Sequence, residues 1–335
     1  MNKNLAIIIL TWNDFENTIK CIKSAIKCLR KNDKIFIIDN NSKKTILNKT
    51  VNWINKNYQK KFQNKVYQKP IFFPPNIIKN KSIFIIRNKN NLGCGYGHNT
   101  GYKIAIINNF EFVARIDNDM ILPNKFFDKI MINFKNKKVE GISPKIMYTK
   151  RPNFIWWMGA KIGNSLKFDM PMRNYPYNLL DNKKYKGVIE TEAIAGCASI
   201  MRTSRLRKIG LSDKDFFYGP EDVEFSKRIF TTEGSLVVDR NVKIYHSVTQ
   251  SFINLNKRKI YFEFKYRLLL IKKIGTTLDK VIGYSFTFMK SLIYLILFFK
   301  DKHRFKIIPV FTAWKDFILN RLGDYDRKNP KPLFD

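Results

Sequence analysis

The sequence predicts an α/β fold, a mostly parallel sheet flanked by helices, from three stretches. Leu5–Leu10 (LAIIIL) and Lys34–Ile38 (KIFII) are β-branched apolar runs of strand length without polar alternation, the pattern of strands buried on both faces. Between them Phe15, Ile19, Ile22, Ile26 and Leu29 recur at helical spacing behind a cap at Asn13 or Asp14. The third stretch, Phe112–Ile116, is another buried run, and it ends abruptly in Asp117-Asn118-Asp119.

After the second strand, which closes in Asp39-Asn40-Asn41-Ser42, residues 43–81 hold a polar amphipathic piece around Val51–Tyr58 and the breakers Pro70, Pro74 and Pro75. They read as a long connection. Ser82–Arg87 (SIFIIR) is the next strand, followed by a glycine-rich stretch with Gly93, Gly95, Gly97 and Gly101 and a helix expected from Gly101 to about Asn108. Its glycines let backbone approach a ligand closely, but the spacing is neither GxGxxG nor a P-loop. Trp156 and Trp157 read as core mass, and the polar stretch Asn164–Gly187 as a loop that closes over a bound ligand. Pro220 opens a helix whose apolar face carries Val223, Phe225 and Ile229. Leu255–Ile274 is a basic, aromatic helix, and Val281–Phe299 is mostly apolar with Lys290 near its middle. A charge at bilayer centre is costly, so 281–299 is expected to lie in a membrane interface or to form half of a hydrophobic hairpin rather than cross, with a buried core helix as the alternative.

Composition narrows the function classes. The 335 residues carry a formal net charge of +35, which attracts polyanions. The lysines are spread among abundant Asn and Ile, with no basic arm, zinc module or aromatic RNA-binding signature, which argues against a nucleic-acid partner. The same Lys/Asn/Ile bias is equally what a coding preference alone produces; the other reading is an anionic membrane surface or an anionic substrate. Cys21, Cys28, Cys94 and Cys197 form no CxxC pair and no disulfide framework, so a reduced, cytoplasmic setting is expected. Leu5–Leu10 is too short for a signal peptide and runs straight into polar residues, so the chain is expected to start with its fold.

Chemistry concentrates at strand ends. Two carboxylates one residue apart, Asp117 and Asp119, can share a hard divalent cation that also grips phosphate oxygens; alone, the same residues also suit a polar turn. Open α/β sheets bind ligands at the carboxyl ends of their strands, which places Thr11, Asn13 and Asp39 in the same crevice. Asp39 can accept from the imide N–H of a uracil or thymine. Glu221 and Asp222 open a helix and suit either acid–base chemistry or its N-terminal dipole.

In order and spacing these residues resemble the inverting glycosyltransferases of family 2, in particular the bacterial rhamnosyltransferase-like branch. The resemblance rests on Thr11-Trp12-Asn13, IIDNNS at 37–42, RNKNNLGCGYGHNTG at 87–101, the DND, Ala195–Ala198, IGLSDKDFFYGPEDVEFSKR at 209–228 and VKIYHS at 242–247. It implies a GT-A (Rossmann-like) domain over residues 1–250, with a nucleotide-binding half to about 122 and an acceptor half beyond, and a helical, membrane-associated extension over 251–335. Thr11, Trp12, Asn13, Asp39, Arg87, Asn90, Gly93, Asn99, Asp117 and Asn118 would surround the nucleotide of a UDP- or dTDP-sugar. Asp119, with Asp117 and His246, would hold Mg2+ or Mn2+. Asp222 would be the base, and Glu221 would position it or contact the acceptor. The implied reaction is inverting transfer to a lipid-linked or growing cell-surface glycan, by a peripheral protein at the cytoplasmic face of the membrane. Alternatives are a non-catalytic basic membrane- or nucleic-acid-binding protein on a degenerate version of the fold, and a processive synthase. The joint presence of Asp117, Asp119 and Asp222 speaks against the first, and the lack of several spanning helices and of a QxxRW motif against the second.

Overall fold

The computed structural model describes residues 4–162, 172–174, 178–232, 234–247, 257–300 and 307–323. Much of the loop expected at 164–187 lies outside these residues. The first half runs β1 (Leu5–Thr11), α1 (Phe15–Lys27), β2 (Lys34–Asp39), α2 (Lys44–Tyr58), β3 (Phe62–Tyr67), α3 (Pro75–Asn80), β4 (Ile83–Arg87), α4 (Cys94–Ile107) and β5 (Phe112–Asp117). These five strands pair parallel in the order β3-β4-β2-β1-β5. The unbroken apolar runs of β1 and β2 are buried on both faces, as their composition requires. Asp14 caps α1 by accepting from the Asn17 amide at 3.1 Å.

The second half continues with β6 (Met120–Ile121), α5 (Phe126–Ile130) and a short 3₁₀ turn, then β7 (Val139–Tyr148), β8 (Phe154–Trp157) and β9 (Ala160–Ile162). After these come β10 (Met172–Asn174), β11 (Leu179–Leu180), β12 (Val188–Thr191), β13 (Ala198–Arg202), α6 (Thr203–Ile209), α7 (Glu221–Phe230) and β14 (Ser235–His246). Here the sheet is mixed: β13 runs antiparallel between β5 and β7, and the whole sheet reaches twelve strands, with β9–β10 a separate pair.

Two expectations are corrected. Residues 43–81 are not an irregular connection but α2, β3 and α3. The strand β3 escapes a pattern reading because it is an edge strand with its middle facing solvent. The glycine-rich stretch is helix from Cys94 onward, seven residues before the expected start at Gly101. Glycine disfavours helix, but here a Cβ at Gly101 would stand 2.3 Å from Ile8 Cγ2, so its absence lets α4 lie flat on β1.

The chain ends in α8 (Lys257–Ile274), α9 (Thr277–Lys300) and α10 (Ile307–Ile318). Residues Ile260, Phe264, Leu270 and Val310 belong to the same apolar cluster as the central sheet. Trp157 is core, as expected, whereas Trp156 is half-buried and stands edge-on to His246, ring centroids 4.6 Å apart.

Candidate active site

Strand register assembles the site. Thr11 pairs with Asp39, Asp39 with Arg87, and Leu10 with Asp117, so four of the expected residues share the carboxyl edge of the parallel half. The chain leaves β1 toward β2 on one side and reaches β5 on the other, the switch point where open α/β sheets form their crevice.

On the β2 side, Asp39 is 2% exposed and faces Arg87, Oδ2 to Nη1 3.2 Å. Burial raises its carboxyl above the ordinary range, against the lowering pull of Ser42 and Arg87. Arg87 also donates to Asn41 Oδ1 and the Ser42 carbonyl, both at 2.8 Å. Asn13, at φ 54°, clips the two strand ends together: its amide donates to Ser42 Oγ and its side-chain oxygen accepts from the Lys43 amide. Asn90 is exposed beside this group. The organiser of the 88–93 turn is Asn40, which donates to Asn91 Oδ1 and Gly93 O and accepts from Asn88 and Leu92. Asn99 points elsewhere: its amide pairs both ways with the Ser212 backbone. It therefore pins the loop before α7 rather than lining the crevice.

On the β5 side, Asn118 donates to Thr18 Oγ1, itself 2.7 Å from Thr11 Oγ1. The short β6 pairs with the end of β14, His246 opposite Met120, and the Ser247 amide donates to the Asp119 carbonyl. This clip brings His246 Nε2 to 3.2 Å from Asp119 Oδ2, with Nδ1 buried and lacking a hydrogen-bond partner. Asp117 looks toward α4 instead. Its Oδ1 is buried without a hydrogen bond, 3.5 Å from His98 Nε2. Burial, foremost, and Asp119 push the Asp117 carboxyl up to about 6. His98 Nδ1 donates to the Cys94 carbonyl, and burial and Arg115 keep the ring neutral, so Nε2 presents a lone pair to Asp117. The ligating atoms of Cys94, His98 and Asp117 lie within 4.8 Å of one another. Asp119 and His246 offer one carboxylate oxygen and one imidazole nitrogen side by side, donors of the type a divalent ion takes, whereas the unpartnered oxygen of Asp117 is grouped with Cys94 and His98 rather than with that pair.

Opposite them stands α7. Glu221, 2% exposed, forms a buried ion pair with Arg115 of β5 at 2.7 Å. Gly95 makes room for it, since a Cβ there would stand 2.5 Å from Glu221 Cγ. Gly93 (φ 79°) is equally fixed, because a Cβ would meet the Phe217 carbonyl at 2.1 Å and block the Cys94 amide that donates to it at 2.8 Å. Asp222 is half-buried, and its Oδ2 accepts from the Gly196 amide at 3.0 Å. Burial and then Glu221 raise its carboxyl to about 6. Glu221 is thus turned into the interior toward Arg115, with its second carboxylate oxygen lacking a hydrogen-bond partner. Trp12 stays 43% exposed, with the Arg258 guanidinium 5.6 Å over its ring.

Sequence reading missed Arg115, His98, Cys94 as a possible ligand, and Arg258. For Arg115 a signal existed, an arginine inside an otherwise apolar buried strand, which demands a buried partner.

A parallel α/β half-sheet with carboxylates at its switch point, continued by a mixed half that closes the other wall, is the GT-A architecture of glycosyltransferases. Residues 6–210 match the family model "Glycosyl transferase family 2", and the chain belongs to that family. Glu221, Asp222, His246 and the last three helices fall outside the matched span. Among solved structures the chain is similar to GalNAc-T7, determined with UDP, GalNAc and Mn2+ (TM-score 0.56, 15% identity, 88% of this chain and 57% of that one). It is also similar to a mannosyltransferase of Pyrobaculum calidifontis in complex with GDP-Man and Mn2+ (0.51, 10%, 94% and 75%). S. aureus TarS aligns too (0.50, 14%, 84% and 41%). The chain thus spans little more than half of GalNAc-T7 and less than half of TarS. A sequence search of curated proteins finds no match.

Proposed function

We propose that the chain is an inverting, metal-assisted glycosyltransferase of the rhamnosyltransferase-like branch. It takes a UDP- or dTDP-sugar and transfers the sugar to a hydroxyl of a lipid-linked or growing cell-surface glycan. What supports this reading is the Asp119–His246 pair at the end of β14 together with Asp222, a half-buried carboxylate held by the Gly196 amide at the start of α7; the charges of Asp117, Asp119 and Asp222 all act on the one buried thiol of Cys197. Two similar folds were solved with nucleotides and Mn2+, in keeping with a divalent ion here.

In this reading Asp39 accepts from the imide of the base, while Asn13 and Arg87 keep the ends of β1, β2 and β4 in register around it. Asp119 and His246, with Asp117, would hold Mg2+ or Mn2+, which would supply charge stabilisation to the departing diphosphate. Asp222 takes the proton of the attacking hydroxyl as the new bond forms on the face opposite the nucleotide. Its raised pKa suits a base that must become a stronger proton acceptor than a free carboxylate. Glu221, charge-compensated by Arg115, fixes the first turn of α7 so that Asp222 keeps its aim.

The test is calorimetric titration with UDP, dTDP, GDP and CMP, with and without Mn2+. Metal-dependent affinity for UDP or dTDP is the expected result. A folded sample that binds none of the four would sink this reading.

A further inference from the structure

Helix α9 is amphipathic in the reverse sense. Its outward residues at helical spacing include Leu278, Val281, Phe288, Leu292, Ile293 and Ile296, each 37–63% exposed. Its inward face carries Asp279, Thr287 and Ser291, all buried. The polar groups inside are bonded: Arg267 Nε donates to Thr287 Oγ1 at 3.1 Å, Trp314 Nε1 to Ser291 Oγ at 2.9 Å, and Lys290 pairs with Glu263 at 2.8 Å. On neighbouring α10, Ile308, Phe311 and Ile318 are likewise exposed. Water does not select such an arrangement, because a water-facing helix puts its polar stripe outward.

We propose that the outward faces of α9 and α10 seat the protein on an anionic lipid bilayer. The acceptor, on the glycosyltransferase reading above, is then a glycan carried by a lipid of that bilayer. Charge selects this occupant over a second copy of the chain: residues 257–323 contain 15 Lys and Arg against 4 Asp and Glu, and like-charged surfaces repel each other while an anionic headgroup layer attracts both. The stretch Thr277–Leu297 is long and apolar enough to cross a membrane. Crossing, however, would strip Thr287, Ser291 and Lys290 of the partners they have on α8 and α10. An interfacial helix keeps those bonds and buries only its apolar side.

Helix α8 connects this face to the chemistry. Outward, Phe264 packs on Tyr294 of α9 (5.3 Å between centroids), and Tyr261 donates to Asp316 of α10 at 2.6 Å. Inward, Phe262 lies against Tyr218 and Phe217, and Tyr266 against Phe216 (5.4, 6.0 and 5.9 Å). These are the residues that lead into Glu221 and Asp222. A bilayer gripping α9 and α10 therefore sets the height and tilt of the acceptor wall, which suits a hydroxyl presented just above the headgroups.

The test is flotation of the full chain with vesicles of phosphatidylcholine alone or with phosphatidylglycerol, at low and high salt. Wild type is expected to float with the anionic vesicles. The triple variant F288S/I293S/I296S is expected to lose at least tenfold in binding, and K280E/K315E to lose the anionic preference. Circular dichroism and Mn2+-dependent nucleotide binding should be unchanged in both. Equal flotation of wild type and the triple variant would overturn the proposal. So would a wild type that ignores every vesicle and runs as a dimer that the triple variant makes monomeric. With a vesicle-borne lipid-linked acceptor and a water-soluble analogue, wild type should favour the former and the triple variant should not; an unaltered preference overturns the acceptor assignment. Flotation without any nucleotide binding would leave the surface standing and remove the enzymatic reading beneath it.

Discussion

Two arginine–carboxylate pairs flank the crevice, and they are built differently. Arg87 and Asp39 sit opposite each other on adjacent strands, 3.2 Å apart, with the arginine side chain 15% exposed and its Nη1 lacking an aligned hydrogen bond. Arg115 and Glu221 join β5 to α7 across 106 residues of sequence at 2.7 Å, and both side chains are sealed, 4% and 3% exposed. The first pair is the longer contact, and only its arginine reaches the surface, since Asp39 is as buried as Glu221; Arg87 also holds Asn41 and the Ser42 carbonyl at 2.8 Å. The second is a strut: its charges are compensated internally, and what it secures is the neighbouring Asp222.

If that contrast is right, the largest effect lies beside the strut. Asp222→Asn should lower transfer by ~10²–10⁴-fold, the usual contribution of a positioned base, while Mn2+-dependent nucleotide affinity measured by calorimetry stays within about twofold of wild type. Equal loss of transfer and binding would undo the division of labour. Next, Arg115→Met leaves Glu221 buried without its cation and should destabilise the fold by ~3–5 kcal/mol in urea unfolding, more than Arg87→Met, where the Ser42 amide still donates to both oxygens of buried Asp39 at 3.3 Å. Asp119→Ala should weaken metal-dependent nucleotide binding by ~10–100-fold, the loss seen even for outer partners of a metal, with little change in binding measured without metal.

Acidity gives a fourth, smaller signature with opposite signs in two readouts. Asp222 and Asp117 both titrate near 6 in the fold against an ordinary 3.8. Between those values the folded chain holds protons that the unfolded chain has released. Their contribution to stability is therefore fully present below about pH 4 and is lost as pH rises through about 6. Transfer, needing the ionised base, should rise across the same window, about tenfold per pH unit below 6. Thermal melts and a pH–rate profile taken together check the sign. Last, Asp39→Asn should cut uridine-nucleotide affinity by roughly tenfold, one charge-assisted hydrogen bond's worth, without moving the melting midpoint as Arg115→Met does.

The same contrast explains what the sequence could reveal. Asp39 and Arg87 end apolar runs, so both were legible, and strand pairing delivered them to one level. The DND was legible for the same reason. Arg115 and Glu221 were not read as a pair, because nothing local reports a partner 106 positions away. His98 and Cys94 were hidden by the helix boundary: only when α4 starts at Cys94 do residues four apart share a face toward Asp117. The strand β3 stayed invisible because an edge strand with Gln63, Asn64 and Lys65 at its centre carries no apolar alternation. The helical character of 257–274 was clear from composition. Its place in the main core was not, since aromatic residues among lysines also fit a purely peripheral helix.

That shared core also governs how the protein can be produced. Cutting the chain near residue 250 would uncover Phe216–Tyr218 and the apolar cluster residues that α8 shares with the rest of the core, and the remainder would aggregate instead of becoming more soluble. On the bilayer proposal above, detergent-free material comes from replacing the outer apolar stripe of α9 with polar side chains while all three terminal helices are kept.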